Sequence, residues 1–196
     1  MARGRPRKFD ETKALTGAMH LFWEKGLSAT SLDDLAIAMD MRRPSIYNAF
    51  GNKEDIYRKS LMLFCGQLDR ALEETLESSF SIREGLIAFF NQAIEAYCGN
   101  NPPMGCLMIC TAPSVSLSHP EVGRDLVGLI QRLDKGFTKR LERAEGEGEI
   151  AGDQKLVLTA KMLQAILQTL AIRARTGESS SALRKLARFG VDNLIR

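Results

Sequence analysis

Apolar residues recur at intervals of three and four along most of the chain, separated by clusters of glycine, proline and serine. Strand-like alternation is nearly absent, and the pattern predicts an all-α fold. Leu15, Ala18, Met19 and Phe22 form one face of a first helix, which Lys25 and Gly26 close as a cationic last turn and a left-handed C′ glycine. In TSLDDLAIAM, Ser31 is an N-cap with Asp34 three residues on, and Leu32, Leu35, Ala36 and Met39 face inward along a short second helix. The next stretch, DMRRPSIYNAF, carries a proline where a helix is due. Proline suits a first helical turn, where its missing N–H lacks an intrahelical partner anyway, so Pro44 marks a start. Ile46, Ala49 and Phe50 then face the protein. Arg43, Ser45, Tyr47 and Asn48 project elsewhere, with Tyr47 straddling the two faces.

Gly51 and Asn52 make a break before a long helix that begins near Lys53 and runs into the middle seventies. Further helices are expected over about 82–97, in short pieces around Leu107, from Pro120 to just before EGEGEIAG, and over about 154–176 and 180–195. The helix near 154–176 is apolar on two sides. Leu156, Ala160, Leu163, Leu167, Leu170 and Ala174 form one stripe, and Leu158, Met162, Ile166 and Thr169 the other. The last helix offers Leu183, Leu186, Ala187, Gly190, Val191 and Leu194, with Gly190 permitting close approach. Two such helices from each of two chains would make a four-helix interface, with Leu163, Leu167, Leu170, Leu186, Gly190 and Leu194 as its candidate residues. A core within one chain is the alternative.

Composition narrows the class. At 196 residues with 44% hydrophobic and 26% charged content, the chain fits a globular protein of one domain or two small ones. The net charge is +3, and the excess lies N-terminally. Arg3, Arg5, Arg7 and Lys8 have no offsetting acid among the first nine residues, which makes residues 1–8 a basic arm of the kind that seeks phosphate. No signal-peptide core and no run of 18 apolar residues occurs, so a cytoplasmic protein without membrane contact is expected. Cys65, Cys98, Cys106 and Cys110 are too sparse for a disulfide scaffold and read as free thiols.

Two short helices joined by a tight turn at Asp40 and Met41, the second with donors at its N-terminal end, match a helix-turn-helix whose second helix enters the major groove. On these residues the segment TSLDDLAIAMDMRRPSIYNAFGNKEDIY resembles the DNA-binding segment of the TetR family of bacterial transcriptional regulators. The resemblance is carried by Thr30, Ser31, Leu35, Ala36, Ile46, Tyr47, Phe50, Lys53 and Glu54. It implies an N-terminal three-helix DNA-binding domain over 9–52 and a larger helical domain for effector binding and dimerisation over 53–196. It further implies that Ser31, Tyr47 and Lys53 hold phosphates while Arg43, Ser45 and Asn48 approach base edges, and Thr30, which opens the second helix, and Pro44, which sets the third, are expected with Arg42 among the DNA-facing residues. The chain departs from the family at Asp40, Arg42, Pro44 and Ala49. Aspartate can still adopt a left-handed turn, and Arg42 and Arg43 are candidate replacements for the phosphate contact that Ala49 cannot make. Arg5, within Arg3-Gly4-Arg5-Pro6, resembles the core of an AT-hook, in which arginine enters a narrow minor groove.

The expected function is therefore a homodimeric repressor, released from a palindromic double-stranded operator by a small-molecule inducer as yet unknown. Phe89, Phe90, Tyr97 and Met108 are candidates for lining an effector cavity. The Gly105-Cys106-Leu107 core resembles that of a TetR branch in which a cysteine senses oxidants or electrophiles, which makes Cys106, with Cys110, a thiol-switch alternative. A helical ligand-binding or scaffold protein without repression is the alternative of another class. No metal or cofactor is expected, because Cys106, Cys110 and His119 lack a recognised ligand spacing. With two histidines and no phosphate loop or nucleophile elbow, no enzyme is expected either.

Overall fold

The computed structural model describes residues 10–76, 80–152 and 155–195, with the backbone alone at 71, 75 and 76. The described residues are helical and form no strand. In chain order the helices are α1 (Glu11–Ala29), α2 (Leu32–Ala38), α3 (Arg43–Phe50), α4 (Lys53–Leu76), α5 (Ile82–Cys98), α6 (Leu107–Thr111), α7 (Pro120–Gly146), α8 (Leu156–Arg175) and α9 (Ser180–Leu194). The chain divides into two compact units, the first ending at Phe64 and the second beginning at Cys65, inside α4.

In the first unit α1 is capped by Asp10, whose carboxylate accepts from the Thr12 N–H at 2.9 Å and the Lys13 N–H at 3.1 Å. Its regular run breaks at Gly26, where the sequence expects a left-handed C′ glycine; φ is positive at 73°, but ψ of 175° makes it an extended, glycine-only conformation and not the left-handed helical one. Phe22 and Trp23 point inward and meet Tyr57 and Phe64 of α4 edge-on, with ring centroids 5.1 and 4.9 Å apart. Leu35, Ile46 and Ile56 complete a core in which each side chain is almost fully buried, each contributing roughly 1.5–3 kcal/mol.

In the second unit α5, α7, α8 and α9 pack on one another, and α6 packs on α8. Phe89, Phe90 and Phe137 stack as an aromatic cluster between α5 and α7, with centroids 5.5 to 6.4 Å apart. A capping box at Ser81 and Glu84 starts α5. Helix α8 has the length and apolarity of a membrane-crossing helix, yet one of its faces, Ala160 to Ala174, forms part of the core. Its second apolar face accounts for the rest of that hydrophobicity.

Candidate nucleic-acid interface

The turn between α2 and α3 sets the site. The Met41 N–H donates to the Ala36 carbonyl at 3.0 Å and the Asp40 N–H to that of Ile37 at 3.2 Å, the bond pair of a Schellman ending. Asp40 takes the left-handed conformation, φ 51°, which this ending needs. Asp replaces glycine there at modest cost, because its short polar side chain tolerates that region. Arg42 then runs extended, and its carbonyl accepts from the Ser45 and Ile46 N–H groups at 2.9 and 3.1 Å. Pro44 occupies the first turn of α3. Ile46 and Phe50, 1% and 4% exposed, pin the helix to the core. Arg42, Arg43, Ser45, Tyr47 and Asn48 are left together on the solvent side.

Several of these groups are already engaged. Arg43 donates through Nε to Asp33 Oδ1 at 2.9 Å, with a second bond from Nη2. This hydrogen bond, first among the causes, lowers the Asp33 pKa and raises that of Arg43. Asp33, in the first turn of α2, thus restrains the arginine expected to read bases. Ser31 acts first as a cap. Its hydroxyl accepts from the Asp34 N–H at 3.1 Å and donates to Asp34 Oδ2 at 2.8 Å, while its own N–H donates to the same carboxylate at 3.0 Å. With Lys25 Nζ at 3.1 Å as a further donor, these bonds, the Ser31 backbone foremost, bring the Asp34 pKa to about 2.

Thr30 differs from its expected role. It is 1% exposed and its hydroxyl donates to the Gly26 carbonyl at 2.7 Å, so it closes the α1–α2 corner and does not face solvent. Lys53 Nζ donates to the Thr30 carbonyl at 2.9 Å, which leaves further ammonium hydrogens free to meet phosphate. Sequence reasoning missed Lys59, whose ammonium donates to the Phe50 carbonyl at 2.8 Å and lies 5.6 Å from the Phe50 ring centroid. It caps the C-terminal end of α3, where a cation complements the helix dipole. A lysine nearly two turns into a long helix carries no sequence signal for that task. Arg5 and the rest of the basic arm lie outside the described residues.

The effector candidates are placed in the core of the second unit. Phe89, Phe90, Tyr97, Cys106 and Met108 are each at most 2% exposed, and none of them, nor Cys110, lines the cavity of about 520 Å³ between α4 and α7. The Gly105-Cys106-Leu107 core has a packing explanation. Gly105 has φ 66°, and a Cβ there would fall 2.9 Å from Cys110 Sγ and 3.2 Å from the Ala171 carbonyl carbon. The glycine therefore lets the chain pass against α8. Burial pushes the Cys106 thiol up to about 12 and raises that of Cys110 as well. Both shifts oppose thiolate chemistry. Among the described residues, no group of three or more His, Cys, Asp or Glu side chains is placed to hold a metal ion.

The dimer candidates also divide. Leu163, Leu167 and Leu170, expected at an interface, point instead into the core of their own chain. Gly190 sits where a Cβ would lie 2.5 Å from Ile166 Cδ1, so its close approach is of α9 to α8 within one chain. Leu186 and Leu194 are partly exposed. The solvent-facing stripe is the other one, Leu158 and Met162, together with Val157, Ile172 and, on α9, Phe189, all more than half exposed.

A helix-turn-helix with an outward row of donors, followed by a larger helical unit, defines a DNA-binding regulator. Residues 14–59 match the family model described as bacterial regulatory proteins of the tetR family. The chain is 30% identical to the HTH-type transcriptional repressor ComR of Escherichia coli (strain K12) over 187 residues, 95% of this chain and 89% of ComR. It is 28% identical to the HTH-type transcriptional regulator YezE of Bacillus subtilis (strain 168) over 150 residues, 76% of this chain and 77% of YezE. Among solved structures it is similar to a cysteine mutant of the TetR family transcriptional regulator CifR complexed with 26-base-pair double-strand operator DNA. The TM-score is 0.89 at 29% identity, covering 96% of this chain and 98% of the other. The chain belongs to the TetR family of bacterial transcriptional regulators. It is a DNA-binding regulator and not an enzyme.

Proposed function

We propose that this chain is a cytoplasmic, homodimeric repressor that reads a pseudo-palindromic operator with α3 and is released by a small-molecule inducer bound in the larger unit. The observation that carries the reading is the division of α3 into a buried edge, Ile46 and Phe50, and an exposed row of donors. Arginine pairs bidentately with guanine and asparagine with adenine, so Arg43 and Asn48 approach base edges, with Ser45 beside them. Arg42, Tyr47, Lys53 and the Ser31 end of α2 hold phosphates. Residues 1–8, with Arg5, add a basic arm; residues 9–52 form the reading domain, and 53–196 the sensing and dimerising one.

The exposed stripe of α8 with Phe189 of α9 supports dimerisation, since an apolar surface of this extent on two adjacent helices favours burial against a second copy. Two copies of α3 about 34–36 Å apart would enter successive major grooves. An inducer releases DNA only by preferring the spacing that does not fit the operator. The experiment is a binding titration on operator DNA at fixed salt with Asn48→Ala and Tyr47→Phe. Asn48→Ala is expected to relax base preference at one position of each half-site, and Tyr47→Phe to weaken all sequences alike. Unchanged affinity and preference in both variants would refute the assignment.

A further inference from the structure

Asp33, at the start of α2, and Arg43, at the start of α3, reach solvent as a pair, with side chains 71% and 51% exposed. Both bonds of the pair run to one carboxylate oxygen, Oδ1, from Nε at 2.9 Å and from Nη2. The carboxylate therefore occupies the Nε–Nη2 edge of the guanidinium. The end-on edge, Nη1 with the second Nη2 hydrogen, is left open, and an open fork of this kind fits the O6 and N7 acceptors of guanine. The other oxygen, Asp33 Oδ2, accepts no hydrogen bond among the described residues. Its neighbour Asp34 is spent on the Ser31 cap and on Lys25. Asp34 also supplies the negative charge that the α2 dipole favours, so neither capping nor the dipole accounts for a second carboxylate, one repelled by phosphate, beside the row of donors.

We propose that Asp33 is a second base reader, whose Oδ2 accepts from the N4 amino group of a cytosine in the base pair next to the guanine read by Arg43. The bond from Arg43 holds the Asp33 carboxyl below its ordinary pKa, so at neutral pH it is ionised and only accepts. In the major groove guanine and thymine offer it acceptors and no donor. Adenine offers an amino group, but with the N7 acceptor beside it, which repels a carboxylate; cytosine offers the amino group alone. The shared bond through Oδ1 ties the two readers together, so that they select a step of two base pairs. The proposal rests on the reading that α3 enters the major groove with Arg43 at a base edge. The charge of Asp33 lowers affinity for every duplex, least where cytosine repays it.

Selection from a randomised duplex library at fixed salt, then titration of the recovered sequence and its single-pair variants, tests this with full-length wild type, Asp33→Ala, Asp33→Asn and Arg43→Ala. Wild type is expected to favour cytosine over guanine or thymine about tenfold at the pair next to the guanine. In Asp33→Ala that preference should fall below about twofold while the guanine preference persists, with affinity gained mostly by duplexes that lack the cytosine. Asp33→Asn should admit adenine at that pair, since an amide accepts from N6 and donates to N7; a residue that only oriented Arg43 would not make that change. An unchanged cytosine preference in Asp33→Ala, or loss of the guanine preference and no other, would overturn the proposal. Arg43→Ala separates it from the reading beneath it. Guanine preference kept in Arg43→Ala refutes that reading and the proposal with it, whereas guanine preference lost there, with no effect of Asp33→Ala, refutes the proposal alone.

Discussion

Gly17, in the middle of α1, has a cost of substitution that can be worked from the structure. A Cβ built there falls on the backbone of Ala38 at the end of α2, inside contact distance of the carbonyl oxygen and 2.9 Å from the carbon. Carbon atoms in ordinary contact are about 3.5–4.0 Å apart, so α2 must retreat by about 1 Å, and a backbone carbonyl cannot rotate away as a side chain would. Alanine gains about 1 kcal/mol over glycine in helix propensity, while overpacking of this kind costs about 1–3 kcal/mol and occasionally more. Because the clash is with backbone, the cost belongs in the upper part of that range, about 2–3 kcal/mol, and we expect Gly17→Ala to destabilise the first unit by a net ~1–2 kcal/mol. The displacement also reaches the Asp40 turn and so re-aims α3, which adds a loss of operator affinity. Gly66, within α4, is the control, because nothing lies within 4 Å of its Cβ position. Gly66→Ala should be neutral or stabilise by up to ~1 kcal/mol. Trp23 is the single tryptophan of the chain and packs against Phe64, so its fluorescence in urea reports this unit. With a slope of about 1–2 kcal/mol per molar, the Gly17→Ala midpoint should fall by roughly 1 M at fixed protein concentration. Equal midpoints for the two variants, with wild-type DNA affinity, would refute the close approach.

Asp33→Ala should leave stability nearly unchanged, since exposed ion pairs contribute little, while freeing Arg43; operator affinity is expected to rise for DNA with guanine at the contacted position, measured by titration at fixed salt. Asp34 titrates at about 2 when folded against an ordinary 3.8. Its folded pKa is depressed, so its contribution to stability is whole above about pH 4 and is lost as pH falls through about 2; acid unfolding of Asp34→Asn should lack that segment of the profile. Cys106, with its thiol pushed up to about 12, should resist iodoacetamide at pH 8 in the folded chain and react after unfolding, as read by mass spectrometry. Met162→Glu or Phe189→Glu should convert a dimer to a monomer by light scattering without lowering the thermal stability of the separate chain.

Much of the first unit was legible because its signals are local. Ser31 with Asp34, Pro44 and Gly26 each specify one backbone geometry, and the 3.6-residue spacing of Ile46 and Phe50 specifies which edge of α3 is buried. The second unit shows where such reading stops. The two apolar stripes of α8 were visible, but periodicity alone does not say which stripe a chain keeps for its own core. The sequence pattern places Leu163, Leu167 and Leu170 at an interface between chains, and the structure turns them inward, because α5, α7 and α9 cover that side. The aromatic and cysteine cluster failed for a related reason: a core and the lining of a cavity share composition, and the distinction lies in whether neighbours fill the space. Lys59, Gly17 and Arg140, the last bonded to Phe80 and Glu149, depend on partners 9 to 60 residues away, to which no local pattern points, and the burial of Thr30 depends on the corner that its bonds with Gly26 and Lys53 close.

Selection of bound fragments from genomic DNA, followed by footprinting of the recovered duplexes with wild type and Arg43→Ala, tests the central claim most directly. Protection of two inverted half-sites one helical turn apart is expected, with a loss of about tenfold or more in affinity for that sequence in the variant. Recovery of no common sequence, or the same protected sequence with equal affinity in Arg43→Ala, would contradict it.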